Sequence, residues 1–291
     1  MNIVVPAGIG DFSWIYAKLS TLKIPMNVRV VVGGYNRLLP FLEILPYVTS
    51  HSELGVDYAN LVPVAMPWWT TKQQLLDASK EAYLGMCANQ HLEAGHDLES
   101  WFPELECDYH YEITAKPEHV RQAEKGLAGD KRFHVCFAAS FAGIAGWHGW
   151  NVMDWLDYIK RFDDRHGETT SVLVGAPWDA EVCGLIEAQV KASGRKCINL
   201  CSKLHIGATI EVMRRAIHIT AFPSGIAILA NVIGTPALMF WPTMLTAMIH
   251  SFADPVDIEN RKFVETVFID PYKAIELTHV REDYENPVCS A

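Results

Sequence analysis

From residue 134 to residue 241 the chain alternates short apolar runs with stretches whose apolar positions recur at helical spacing, and no other feature restricts its fold as much. His134–Ala139, Ser171–Ala176, Ile198–Leu200, Ile217–Phe222 and Ala237–Trp241 read as strands. Between them, 152–162 places Trp155, Leu156, Ile159 and Phe162 on one helical face, and 179–190 does the same with Val182, Leu185, Ile186 and Val190. Helices over 206–217 and 224–233 complete the series, the last stopped by Gly234 with Pro236 just beyond. Strands separated by helices of this length pair in parallel, because each helix carries the chain back to the starting edge of the sheet.

The first half repeats the rhythm more loosely. Asn2–Pro6 reads as a strand, Phe12–Leu22 as a helix, and Val28–Val32 and Leu61–Ala65 as further strands. Lys72–Asn89 reads as a long helix, Tyr109–Ile113 as a strand, and 116–131 holds a charged helix. Each half opens with a strand, a turn bearing glycine or serine, and a helix. The fold expected is therefore α/β, with two Rossmann-like lobes facing across a cleft. The boundary falls near 129–133, giving an amino lobe over 1–130, a second lobe over 131–270 and a tail over 271–291 that would cross back to the amino lobe.

Composition narrows the function classes. At 291 residues the chain can bury a core without disulfide or metal staples. Its seven cysteines are odd in number and form no C-x-x-C pair, which reads as reduced thiols. With 24 basic and 34 acidic residues the net charge is −10, which repels polyphosphate and argues against nucleic-acid or anionic-bilayer partners. No apolar run reaches the ~18 residues of a membrane span, and Met1–Pro6 lacks the marks of a signal peptide. A cytoplasmic protein is expected. None of the twelve histidines falls in a metal-ligand spacing, so no metal is expected.

Two constellations carry chemistry. Gly8-Ile9-Gly10-Asp11 follows the first strand, where two glycines allow a tight turn and close approach of a ligand. Asp11 there is either a helix N-cap or a base exposed to substrate. Ser224 and Gly225 stand at a strand-to-helix junction, where free backbone N–H groups and the helix dipole attract a phosphate without any basic side chain. A capped helix is the alternative reading. Ser140 ends the first strand of the second lobe at a similar junction. Tryptophans also cluster after strands: Trp68 and Trp69 in the amino lobe, Trp147, Trp150 and Trp178 in the second. Such rings stack on a sugar face or a base, or else pack in the core, as the helical spacing of Trp155 requires.

Ser224 to Thr243 resembles the late motif of the ADP-heptose:lipopolysaccharide heptosyltransferases, family 9-type glycosyltransferases of GT-B fold. Gly8 to Asp11 is similar to the family's early Gly-x-Gly-Asp, whose aspartate the resemblance implies to be the catalytic base. Leu173–Gly175 with Asp179 and Glu181 resembles its middle segment, which meets the donor nucleoside. The likeness covers most of 134–243 and the first 20 residues. It departs at Pro223, where the family has aspartate, at Ile228, where it has histidine, and at Trp241, where it has glycine. The family's lysine after Ser140 is also missing; His148 is the candidate substitute cation, with His205 a weaker one.

The resemblance implies a glycosyltransferase moving a sugar from a nucleotide-diphosphate donor to a saccharide or other hydroxyl acceptor, by inverting, metal-independent displacement and without a cofactor. Asp11 would be the general base. Gly10, Ser140, Asp179, Glu181, Ser224 and Gly225 would bind the donor, and Trp68 and Trp69 would stack on the acceptor. Two alternatives stand beside it. One is a non-catalytic nucleotide-sugar-binding relative. The other is a glycosyltransferase acting on modified nucleic acid, through a basic cleft involving Arg29, Arg37, Arg214 or Arg215.

Overall fold

A computed structural model of the chain describes residues 1–5, 8–30, 35–53, 73–74, 76–77, 84–85, 105, 107, 110–138, 150–222, 224–241, 264–268 and 280–281. The chain divides into two compact units, Met1–Thr114 and Ala115–Ala291.

The first unit holds a parallel sheet of β1 (Asn2–Val5), β2 (Met26–Val30), β3 (Val48–Glu53) and β4 (Leu84–Gly85), in the order β3-β2-β1-β4. Helix α1 (Ile9–Ser20) crosses from β1 to β2, and α2 (Tyr35–Leu42) from β2 to β3. Ile3, Val5, Val28 and Val30 alternate inward along their strands, and Phe12, Ile15 and Tyr16 of α1 are buried as well. The expected helix over 72–89 is interrupted. Residues 73–74 and 76–77 are helical, but Leu84 and Gly85 pair in parallel with Ile3 and Val4. The expected strand at Tyr109–Ile113 is irregular over 110–113. There Ile113 is buried, and the Tyr111 ring packs edge-on against Tyr16 while its hydroxyl hydrogen-bonds Ser13 at 2.8 Å. The strand expected at 61–65 lies outside the described residues.

The second unit begins earlier than expected, because α3 (Pro117–Leu127) packs against α6 (Ile206–Arg215) of the same unit. Its sheet contains β5 (Phe133–Phe137), β6 (Thr170–Val174), β7 (Lys196–Asn199), β8 (Ile219–Ala221), β9 (Ala237–Trp241) and β10 (Val264–Phe268). All pair in parallel, in the order β10-β9-β8-β5-β6-β7. Every residue of β5 and β6 is buried, as expected of a sheet covered by helices on both faces. The crossovers are α4 (Val152–His166), α5 (Ala180–Ala192), α6 and α7 (Gly225–Ile233). Asn151 caps α4 by accepting from the Met153 N–H at 2.8 Å. The α7 helix ends at Gly234, whose φ of 68° suits glycine.

Trp155, Tyr158, Phe162, Phe222 and Phe240 form the centre of this unit's core, largely through edge-to-face contacts. Cys136, Cys183, Cys197 and Cys201 are buried and unbridged. At the amino ends of β5 and β6 a buried polar chain is fully satisfied. The Thr169 hydroxyl donates to Asp163 Oδ1 at 2.7 Å, so it must accept from His134 Nδ1 at 3.0 Å. His134 Nε2 then accepts from Ser171, and Arg195 closes the far end on Asp163 at 3.2 Å. In the tail, Val280 packs on the second unit's core and Arg281 donates to the carbonyls of Arg214 and Gly234. The two described residues of the tail, 280 and 281, therefore pack on the second unit. Among the described residues no helix is long and apolar enough to cross a membrane.

Candidate functional site

Read outward from β5, the second sheet has the doubly wound order 3-2-1-4-5-6, and the first unit repeats its 3-2-1-4 part. In such sheets successive crossovers diverge between the first and fourth strands, which opens a crevice at their carboxyl ends. In the second unit that point lies between β5 and β8. Strand β8 runs through Phe222 to Ser224, the N-cap residue of α7. The Ser224 backbone is extended (φ −167°, ψ 169°), and its carbonyl accepts the Ile228 N–H at 3.3 Å. Its side chain caps nothing: Oγ is buried and finds no hydrogen-bond partner among the described residues. No acidic residue stands in the first turn of α7, so the partial positive charge of the helix start is not neutralised from within. Gly225 opens the helix and leaves its backbone approachable. Ile228, at the position of the family histidine, is buried at 6% exposure as an ordinary core residue.

The corresponding point in the first unit lies between β1 and β4. Helix α1 starts at Ile9 with Gly8 as its cap residue (φ −83°, ψ 129°). Gly10 is the second helical residue and Asp11 the third, so Asp11 is not the N-cap. The cap reading of this aspartate is withdrawn on backbone position alone.

Beyond the switch point, β6 ends in a tight turn, Gly175 to Asp179. Asp179 Oδ2 accepts the Ala176 N–H at 2.9 Å, and the Asp179 N–H returns to the Ala176 carbonyl at 2.9 Å. The Cys201 thiol reaches the same carbonyl at 3.3 Å, and the Ser202 N–H donates to the Gly175 carbonyl at 2.9 Å. A methyl group on Gly175 would lie 2.9 Å from Asp179 and 3.1 Å from Cys201 Sγ, so the turn closes only around glycine. Asp179 is 1% exposed, and burial raises its carboxyl above the usual range while the Ala176 N–H opposes that shift. The donor contact expected of Asp179 is therefore corrected: its carboxylate is spent inside its own turn. Glu181, in the first turn of α5, is exposed.

Other expectations resolve by burial. Trp150 is core: it is 5% exposed and packs on Phe222 and Phe240, although its Nε1 finds no hydrogen-bond partner among the described residues. Trp178 is 51% exposed. His205 is not a free cation, since its Nδ1 accepts the Gly207 N–H at 3.1 Å as the cap of α6. Its ring stacks on His119 at 4.4 Å and 10°, a pairing across 86 positions that no local pattern foretells. Arg214 pairs with Glu211 and Arg215 with Glu124, which occupies two of the cations named for nucleic-acid contact. Among the described residues no group of three or more His, Cys, Asp or Glu is placed to hold a metal ion. Ser140, Trp68, Trp69, Trp147, His148 and the side chain of Asp11 lie outside what the structure describes.

No family model and no curated protein matches the sequence. Solved structures do match the fold. Escherichia coli ADP-heptose LPS heptosyltransferase II superposes with a TM-score of 0.63 at 13% identity, covering 95% of this chain and 97% of that one. A family 9 glycosyl transferase from Veillonella parvula gives 0.60 at 12%, covering 92% and 85%. E. coli heptosyltransferase WaaC with ADP-2-deoxy-2-fluoro heptose gives 0.53 at 13%, covering 96% of both chains. The chain thus has a heptosyltransferase-like, GT-B-type fold.

Proposed function

We propose that the protein is a glycosyltransferase that takes a sugar from a nucleoside-diphosphate donor and passes it to a hydroxyl acceptor. The observation that carries this reading is the start of α7. A buried Ser224 hydroxyl with no hydrogen-bond partner among the described residues and a helix N-terminus without an acidic residue stand together at the switch point of a 3-2-1-4-5-6 sheet. Unpaired backbone N–H groups and an available hydroxyl suit a diphosphate. The fold likeness to proteins solved with ADP and with an ADP-heptose analogue supports the same choice of ligand.

In this reading the donor diphosphate lies against Ser224 and Gly225, and against Ser140 at the parallel junction. Glu181, exposed after β6, accepts hydrogen bonds from the ribose hydroxyls. Asp11, with Gly10 beside it, acts as general base on the acceptor hydroxyl. Attack and departure are in line, so the anomeric centre inverts. The helix dipole and N–H groups stabilise the leaving diphosphate, with no metal required. His148 supplies a cation where the related motif has lysine, and Trp68 and Trp69 meet the acceptor sugar.

The test is release of nucleoside diphosphate from nucleotide sugars, ADP-heptose first, with and without acceptor and in the presence of EDTA. Wild type should turn over in EDTA, and Asp11→Asn should lose ~10²-fold or more. Wild-type rates in D11N would remove Asp11 from the mechanism. Binding of nucleoside diphosphate without turnover of any donor would leave a non-catalytic binder.

A further inference from the structure

Helices α3 and α6 meet near their amino ends, and a histidine closes each end. His119, the third residue of α3, turns back so that its Nδ1 accepts the Lys116 N–H at 3.3 Å. His205 is the N-cap of α6, and its Nδ1 accepts the Gly207 N–H at 3.1 Å. The two rings stack at 4.4 Å, 10° from parallel. Gly207 admits the His119 ring only because it has no side chain, since a methyl group there would lie 2.3 Å from Nδ1. Gln122 of α3 ties the same junction: its Oε1 accepts the His205 N–H at 3.1 Å, and its Nε2 donates to the Lys203 carbonyl at 3.3 Å. His119 is 5% exposed, so its ring is held within the contact between the two helices.

These caps fix the protonation of both rings. A backbone N–H only donates, so each Nδ1 must offer a lone pair, and each ring carries its one proton on Nε2. An imidazolium has N–H at both positions and no lone pair left, so a proton gained by either ring removes the cap that ring provides. Protons on both would set two like charges 4.4 Å apart. The surroundings do not favour the added charge. Glu124 pairs with Arg215, Glu211 with Arg214, and Glu187 of α5 faces Lys203. Beyond these, α3 and its cap residue bring Lys116, Arg121 and Lys125 against Glu118. The Cys201 thiol, in the loop before α6, is turned to the Ala176 carbonyl. Helix α7, which also packs on α6, carries no charged residue, and Arg281 adds a cation at the far end of α6.

We infer that the His119–His205 pair is a proton-operated latch: neutral rings cap α3 and α6 and hold them together, and protonation of either ring breaks a cap and loosens the junction. Lys116 lies two residues beyond Thr114, the end of the first unit, so the latch governs the first turn of the second unit. The capped form excludes the proton that a free histidine takes up near pH 6.5. The latch therefore holds above that value and weakens as pH falls below it. Nothing in this depends on the nucleotide-sugar reading.

Amide exchange followed by NMR on the full chain, from pH 7.5 to 5.5, compares wild type with a His119→Gln/His205→Asn variant. Gln at the third helical position and Asn at the N-cap are acceptors that gain no proton in this range. After correction for intrinsic rates, protection of the Lys116 and Gly207 amides in wild type should fall about tenfold for each ring that titrates. In the variant the fall should be smaller by about fivefold or more. An equal fall in both proteins would overturn the latch. Should the variant not fold, the ring nitrogen shifts of wild type decide. At pH 7.5 both histidines should carry their proton on Nε2, and protection should drop as each ring gains its second. A proton on Nδ1 at pH 7.5, or a second proton gained without loss of protection, would overturn it equally.

Discussion

Gly207→Ala should destabilise the second unit by about 2–4 kcal/mol, through a clash that can be located atom by atom. Gly207 is the second residue of α6 and is buried against α3. A methyl group there would lie 2.3 Å from His119 Nδ1, 2.6 Å from Cε1 and 2.8 Å from Cγ. The imidazole cannot simply swing aside. Its ring stacks on His205 at 4.4 Å, and its Nδ1 accepts the Lys116 N–H at 3.3 Å. Overpacking of this kind costs about 1–3 kcal/mol, and losing the cap that His119 or His205 provides costs about 1 more. For a unit of this size the melting temperature should drop by about 5–15 °C. Scanning calorimetry on wild type, G207A, His119→Ala and the double variant forms a complete cycle. In the H119A background the ring is gone, so G207A should cost less than ~0.5 kcal/mol, leaving a coupling of about 1.5 kcal/mol or more. A cost for G207A that is the same in both backgrounds, or absent in both, would refute the argument.

Three further outcomes follow from buried polar groups. Ser224→Ala should leave the melting temperature of the free protein nearly unchanged, since Oγ has no partner to lose among the described residues, yet weaken pyrophosphate binding ~10-fold or more; equal binding by titration would remove Ser224 from the phosphate site. Asn231 buries both amide atoms at 1% exposure in the last turn of α7, with no hydrogen-bond partner among the described residues, so Asn231→Ala should unfold at no lower denaturant concentration than wild type; a loss of more than about 1 kcal/mol would show that the amide is paired. Burial, with His218 and His166 nearby, pushes the His134 imidazole down to about 3 from an ordinary 6.5. The unfolded chain therefore binds the extra proton in that window, and stability falls as pH drops below 6.5, by up to about 1.4 kcal/mol per unit from this group. His134→Gln, which keeps one donor and one acceptor, should flatten that slope in denaturant titrations between pH 6.5 and 4. An unchanged slope would discharge His134 from acid sensitivity.

The second unit was legible because its central strands are buried along their whole length and are mostly apolar. Phe133–Phe137 and Thr170–Val174 sit between two helical layers, so burial on both faces writes a continuous run into the sequence. The first unit was harder for specific reasons. Strand β3 reads Val-Thr-Ser-His-Ser-Glu, a polar edge strand that burial does not mark. Helix α2 is short and contains Pro40, and β4 contributes only two residues inside a stretch of helical period. The unit boundary moved to Thr114 because α3 belongs with α6, and a contact between distant helices leaves no local trace. Site residues divided in the same way. The junction at Ser224 and Gly225 could be named from a strand, a small polar residue and a helix in succession. That Asp179 is buried while Glu181 is exposed depends on how one turn closes around Gly175, and spacing alone gave both acids the same standing.

A nucleoside diphosphate bound to the second unit should reveal itself in a melting series. A ligand at a hundred times its dissociation constant stabilises the native state by about 2.7 kcal/mol. With ADP, UDP and GDP each at millimolar concentration, at least one should raise the melting temperature by several degrees, saturably, and with a smaller rise in Ser224→Ala. A temperature that none of the three moves, or that moves equally in S224A, would contradict it.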